Sequence, residues 1–185
     1  MADASVRPAH GGDAAEIARI QAAVWGEVHR GLLPAEELAE LVAEVGSQEA
    51  ADSWRDAASS PPTPRHRVLT ALVGDTVVGF AALAPATDPD LDPSTDHEVL
   101  ALCVDPAARG AGHGSRLVNA AADLAAGDGV HVLHTWLAPA ETGLRRFLDG
   151  AGWAPDGAAR SLDLRGDGVV VVQQVRLRAA LVDPQ

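Results

Sequence analysis

Residues 104–118 read VDPAARGAGHGSRLV, and no other stretch restricts the fold as much. An apolar run ends at Val104, a proline turn follows, and then come Arg109, glycines at 110, 112 and 114, and the opening of a helix. Glycine at alternate positions permits left-handed dihedrals and a close approach of ligand to backbone. A helix N-terminus just beyond it carries unpaired N–H groups and a partial positive charge. The combination predicts a strand, a tight turn and a helix arranged to cradle an anion such as a phosphate.

Two familiar phosphate loops fit poorly. A dinucleotide fingerprint needs G-x-G-x-x-G. Gly110 and Gly112 satisfy its first two positions, but the third falls on Ser115. The stretch also lies mid-chain after a hairpin, whereas the fingerprint occupies the first strand–helix turn of a parallel sheet. No acidic residue ends a second parallel strand at the required spacing, since Asp128 sits in a Gly-rich turn. A Walker loop needs a lysine, and all 14 basic residues here are arginine.

The flanking pattern predicts an order βαα–ββ–β–α–β–α–ββ. Residues 5–8 read as a short entering strand. From Asp13, apolar residues recur at helical spacing through Val24, with Asp13 as N-cap and Glu16 as its capping-box partner. Pro34 opens a second helix, and residues 47–58 read as a further turn or two of helix. SSPPTPR at 59–65 is a breaker. Residues 67–73 and 76–84 form a hairpin around Gly74-Asp75. The loop 85–95 is acidic, but Pro89 and Pro93 interrupt the pattern a calcium loop needs, and no metal site is expected. A strand over 98–104, a helix over 112–126, a strand over 130–137 and a helix over 140–148 follow. A hairpin from Trp153 to Leu177, turning at Arg165-Gly166-Asp167, closes the chain. No repeat or domain-sized linker interrupts it, so residues 1–185 are expected to form one mixed α/β (α+β) domain.

Composition narrows the setting. Fourteen basic residues against 26 acidic ones give a net charge of −12, which argues against nucleic acid or an anionic membrane as partner. The one cysteine, Cys103, rules out a disulfide framework within the chain and suits a reducing compartment. No signal core or membrane-length apolar run is present. A soluble cytoplasmic protein is the expectation.

Arg109-Gly110-Ala111-Gly112-His113-Gly114, preceded by Val104-Asp105-Pro106, resembles the acyl-CoA loop of the GNAT superfamily of N-acetyltransferases. FLDGAGW at 147–153 is similar to that family's closing segment. The likeness spans nearly the whole chain. Trp25…Gly31-Leu32-Leu33-Pro34 and Ser53-Trp54-Arg55 look like a bacterial branch with an extended N-terminal helical section. The resemblance implies a central, mostly antiparallel twisted sheet with helices on both faces and two strands that splay to form the CoA cleft. It implies acetyl-CoA as cofactor, and transfer of its acetyl group to a primary amine on a small molecule or a protein. The alternative is an acyl-CoA-binding sensor or interaction module without turnover. Monomer and homodimer both stay open.

The resemblance also assigns roles. Backbone amides of Arg109, Gly110, Ala111, Gly112, His113, Gly114 and Ser115 would hold the pyrophosphate. Arg109 either adds charge or braces the loop, and His113 reads as a surface or loop-packing residue. The pantetheine arm would pair with Leu102, Cys103 and Val104 in the manner of an added strand, and an amide there would face the thioester oxygen. Cys103 itself reads as a small buried residue. Glu98 is the candidate base that takes the proton from the amine, with His97 and Asp96 as weaker choices. The alternative for Glu98 is an exposed residue at a strand start. Strand alternation predicts Glu98, Leu100, Leu102 and Val104 on one face. Trp25, Trp54 and Trp136 are candidates to line an acceptor pocket or, alternatively, core anchors, while Trp153 reads as structural. The chain departs from the family at Leu148, Glu141 and Leu144, the last standing where members have alanine. Leu148 stands where members often carry a tyrosine acid, and the sequence has no tyrosine. Glu141 stands where many have an asparagine, which removes an amide donor.

Overall fold

The computed structural model describes residues 4–163, Gly168 and 171–181; the turn expected at Arg165-Gly166-Asp167 lies outside them. Strand β1 (Ala4–Pro8) leads through a single 3-10 turn into α1 (Ala14–Val28), α2 (Ala35–Val45) and α3 (Gln48–Ser59). The hairpin β2 (Arg67–Val73) and β3 (Thr76–Pro85) follows, and then β4 (Asp96–Val104), α4 (His113–Gly127), β5 (Val132–Leu137), α5 (Thr142–Gly150), β6 (Ala154–Asp163) and β7 (Val171–Ala180).

Two N-terminal details differ from expectation. Asp13 does not cap α1 with its side chain. It accepts two bonds from Arg7, at 2.7 and 3.0 Å, and one from the His10 amide at 2.7 Å. Arg7 projects from the neighbouring strand, and a charge-assisted fork outcompetes a neutral cap. The segment after Ser47 is not a turn or two but a 12-residue helix, because the Ser47 hydroxyl accepts from the Ala50 amide and closes its first turn.

Seven strands form one sheet in the order β1-β2-β3-β4-β5-β7-β6. Every neighbouring pair is antiparallel except β4 with β5. Helices cover both faces. Ile17 and Ile20 of α1, together with Trp54 of α3, pack on Phe80, while Leu117 and Ala121 of α4 and Leu148 of α5 pack on Leu69, Val99 and Leu177. Among the described residues no helix is long and apolar enough to cross a membrane.

The parallel pair positions the site. β4 and β5 are in register only from Asp96↔Val132 to Glu98↔His134. Beyond that point they diverge, and the edge of β4 from Val99 to Val104 has no strand beside it. β4 also bulges where it meets β3: Leu83 pairs with Val99 but Ala82 with Ala101, so Leu100 is the extra residue. The bulge changes the phase of the strand. Glu98 shares a face with Ala101 and Cys103, and Leu102 and Val104 lie on the other. The alternation expected from sequence is therefore broken at Leu100, which is 58% exposed.

Gly79 keeps this strand in place. A Cβ there would lie 2.8 Å from the carbonyl oxygen of Cys103 and 3.3 Å from Leu117. We expect Gly79→Ala to cost about 1–3 kcal/mol, the usual penalty of overpacking, read as a lower urea midpoint.

Candidate active site

Val104 ends β4, and Asp105 caps a single turn over Pro106–Ala108 by accepting from the Ala107 amide. Gly110 and Gly112 follow in left-handed conformations, with φ of +80° and +82°, which side chains with a Cβ adopt only at a cost. Gly112 is the N-cap of α4 and supplies no capping side chain. The amides of residues 110–115 find no acceptor among the described residues, and the first bond at this helix start is Arg116 N–H to Gly112 O. A row of orphan donors at the positive end of a 15-residue helix has the geometry suited to an anion.

Arg109 does not point its charge into this loop. It pairs with Glu27 of α1 at 2.7 Å and donates to the Val104 carbonyl at 3.3 Å, so it braces the loop against α1. His113 is buried rather than on the surface. Gly114 lets the Phe147 ring approach to 3.4 Å of where its Cβ would stand. Ala111 offers its carbonyl to Arg116.

Two cavities open where β4 and β5 diverge. One, of about 610 Å³, runs along Leu102, Val104, the glycine loop and the start of α5. The other, of about 180 Å³, holds Glu98, Trp25, His29, Trp136 and Arg160. They share Val24, Val28, Leu102, Glu141 and Leu144. Most sequence-proposed residues thus gather around one continuous cleft. Cys103 faces the smaller cavity and is otherwise buried, which pushes its thiol up to about 12. Ala111 lines neither cavity.

Glu98 is buried, hydrogen-bonds to none of the described residues, and lines the smaller cavity. Burial raises its pKa above the ordinary carboxylate range, against a smaller downward pull from the Arg160 charge. The weaker candidates have other occupations. His97 is 1% exposed, with both ring nitrogens unpartnered, and lines neither cavity. Asp96 holds His134 Nε2 at 2.6 Å. Of the tryptophans, Trp25, Trp136 and Trp153 line the smaller cavity, and Trp153 is also part of the core. Trp54 instead packs edge-on to Phe80 at 5.1 Å and donates to Gln21. Glu141 accepts from the Ala138 amide at 2.7 Å, and burial raises its pKa too. Leu148, in the tyrosine's place, is buried in the core.

Sequence reasoning missed the far wall. Arg160, Leu162, Val172 and Gln174 come from the β6–β7 hairpin, and Arg160 stands opposite Gln174 in register. It also missed the cluster behind that wall. Buried Arg176 donates to Asp156 at 2.7 Å, to Asp88 at 3.1 Å and to Asp90 at 2.5 and 2.9 Å. Trp136 Nε1 donates to the same Asp88. The acidic loop is therefore tied to the sheet by the Arg176 guanidinium and the Trp136 indole. A bulge in β6 between Pro155 and Ala159 brings Asp156 opposite Arg176. In sequence Arg160 stands alone in β6, whereas Arg176 shares β7 with Arg178.

A sequence profile of the Acetyltransferase (GNAT) family matches residues 29–153. The chain belongs to the GNAT acetyltransferase family. No curated protein matches this member in sequence. In fold it is similar to the PaiA N-acetyltransferase from Thermoplasma acidophilum, solved in complex with coenzyme A. The TM-score is 0.73 at 15% identity, over 96% of this chain and 99% of that one. A GCN5-related N-acetyltransferase from Rhodopseudomonas palustris is 22% identical, with a TM-score of 0.71 over 98% of each chain. YncA from Salmonella typhimurium, solved with acetyl-CoA, is 18% identical, with a TM-score of 0.62 over 99% of this GNAT member and 96% of YncA.

Proposed function

We propose that this GNAT member transfers the acetyl group of acetyl-CoA to a primary amine. The row of unpartnered amides from Gly110 to Ser115 at the start of α4 carries the reading. Family membership and fold relatives solved with coenzyme A or acetyl-CoA support the same cofactor. The pyrophosphate sits on those amides, and the pantetheine arm runs along the unpaired edge of β4 at Leu102, Cys103 and Val104. The larger cavity follows that path. Acetyl-CoA supplies an activated carbonyl carbon with a thiolate leaving group.

Glu98 removes a proton from the bound ammonium. The nitrogen lone pair then attacks the thioester carbonyl, the carbon–sulfur bond breaks, and the thiolate takes, through water, the second proton that the nitrogen sheds as it becomes an amide, while Glu98 returns the first proton to solvent. Unpaired amides on the splayed edge of β4 offer donors to the oxygen as it gains charge. A base with a raised pKa is a better acceptor for an ammonium proton, and the cavity around Glu98 provides that raise.

The test is a thermal shift followed by an amine screen. Acetyl-CoA at a hundred times its Kd stabilises a one-site binder by about 2.7 kcal/mol. We expect Gly112→Val to abolish this shift, since its φ of +82° strains any β-branched side chain. An unchanged shift in the variant overturns the cradle assignment. A second reading, binding without turnover, is favoured by one feature: Leu148 leaves the usual acid position apolar and buried. Free CoA released with any amine decides for transfer.

A further inference from the structure

Two arginines flank Trp136, and their surroundings differ. Arg176 lies 5.5 Å from the ring centroid and is saturated by Asp88, Asp90 and Asp156. Arg160 lies over the ring at 4.3 Å, donates from Nε to Gln174 at 2.8 Å, and has no carboxylate partner among the described residues. Its two terminal nitrogens are unpartnered among the described residues, and it lines the smaller cavity. A guanidinium partly withdrawn from water and paired with no anion is an unfavourable arrangement until an anion arrives. Its planar fork suits a carboxylate, which accepts two parallel hydrogen bonds.

Glu98 opens into the same cavity. The two groups sense each other's charge but form no ion pair. The cavity therefore offers a carboxylate and a guanidinium in its lining, with Trp25, Trp136 and Leu162 as further walls. Its volume of about 180 Å³ suits a single small molecule. An amine alone leaves Arg160 unmet, and an anion alone leaves Glu98 unmet. A zwitterion satisfies both ends. The net charge of −12 does not oppose this, because exposed charges are screened beyond about 10 Å at ordinary ionic strength.

We propose that the acceptor is a free amino acid, its carboxylate held by Arg160 and its amine turned toward Glu98. The proposal rests on the acetyl-transfer reading above and names the substrate class of that site. Arg160 is then the residue that sets specificity, and Gln174 and Trp136 orient its guanidinium.

The twenty common L-amino acids and their carboxamides are screened for CoA release from acetyl-CoA. At least one free acid should exceed its carboxamide by about 30-fold or more in kcat/KM, within the range for losing one partner of a charged hydrogen-bonded pair. Arg160→Gln should raise KM for that acid by a similar factor, change kcat little, and erase the preference over the carboxamide. Arg160→Lys, which keeps the charge without the fork, should recover part of it. The same acid should raise the melting temperature of the wild type in the presence of CoA, and not that of Arg160→Gln. Equal use of acid and carboxamide, an unchanged KM in Arg160→Gln, or turnover only of amines lacking a carboxylate each overturns the inference. Failure of the transfer reading looks different, because no amine then releases CoA at all.

Discussion

Replacing Glu98 with Gln is expected to lower kcat by about 10²–10⁴, the range for loss of a general base. The acetyl-CoA thermal shift should be unchanged, because Glu98 lines the smaller cavity and not the larger one. In the wild type, the acid limb of kcat/KM against pH should fall above the ordinary carboxylate range, since burial raises the Glu98 pKa. That limb should vanish in the variant. The same shift predicts a stability effect of opposite sense. A carboxyl whose folded pKa lies above its unfolded value stabilises the fold below the unfolded value, near 4.3, and loses that contribution as pH rises through the folded value. Ionised Glu98 is thus a cost at neutral pH. Glu98→Gln should melt higher than the wild type at pH 7–8, with the gap closing below about pH 4. A variant as active as the wild type at every pH removes Glu98 as the base. A variant that is inactive and also melts lower assigns it a structural role instead.

The largest loss of stability should follow Arg176→Met. It would strand Asp88 and Asp156, which are mostly buried, and release Asp90. Removing one partner of a buried ionic cluster costs about 3–5 kcal/mol, because the desolvated charges that remain have no counter-ion. The penalty has a defined pH window. In the native protein Arg176 holds Asp90 down to about 2. Burial pushes Asp156 up, but the Ala158 amide and Arg176 leave it below the usual range. Groups with depressed folded pKa values stabilise above their unfolded value, near 3.9, and lose that contribution as pH falls through the folded one. Urea titrations of both proteins should differ most between pH 5 and 8 and converge toward pH 2. A constant difference across that range would mean that Arg176 acts by packing and not by charge.

Arg176 also ties the acidic loop to the wall that carries Trp136. Its loss should therefore loosen the smaller cavity while sparing the glycine loop. Acetyl-CoA binding should survive in Arg176→Met at temperatures where the variant is still folded.

Local chemistry made the cradle legible. Alternate glycines, a proline turn and an uncapped helix start are contiguous in sequence, and their dihedral demands follow from residue type alone. The strands and helices of the second half followed from periodicity for the same reason. The N-terminal cap did not, because Asp13 is claimed by Arg7 of β1. The alternation of β4 failed at Leu100, because a bulge depends on the register with β3 and register is a property of two strands.

The sequence by itself determined that a strand, a glycine turn and a helix would offer orphan amides to an anion, since each of those steps is local. Only the tertiary structure decided what faces that anion site. The divergence of β4 from β5, the bulge that sets the face of Glu98, and the hairpin that carries Arg160 to the same cavity join residues as distant in the chain as Trp25 and Arg160, 135 positions apart. No local propensity encodes such a meeting. It comes from the pairing of strands and the burial of the apolar faces that hold them together.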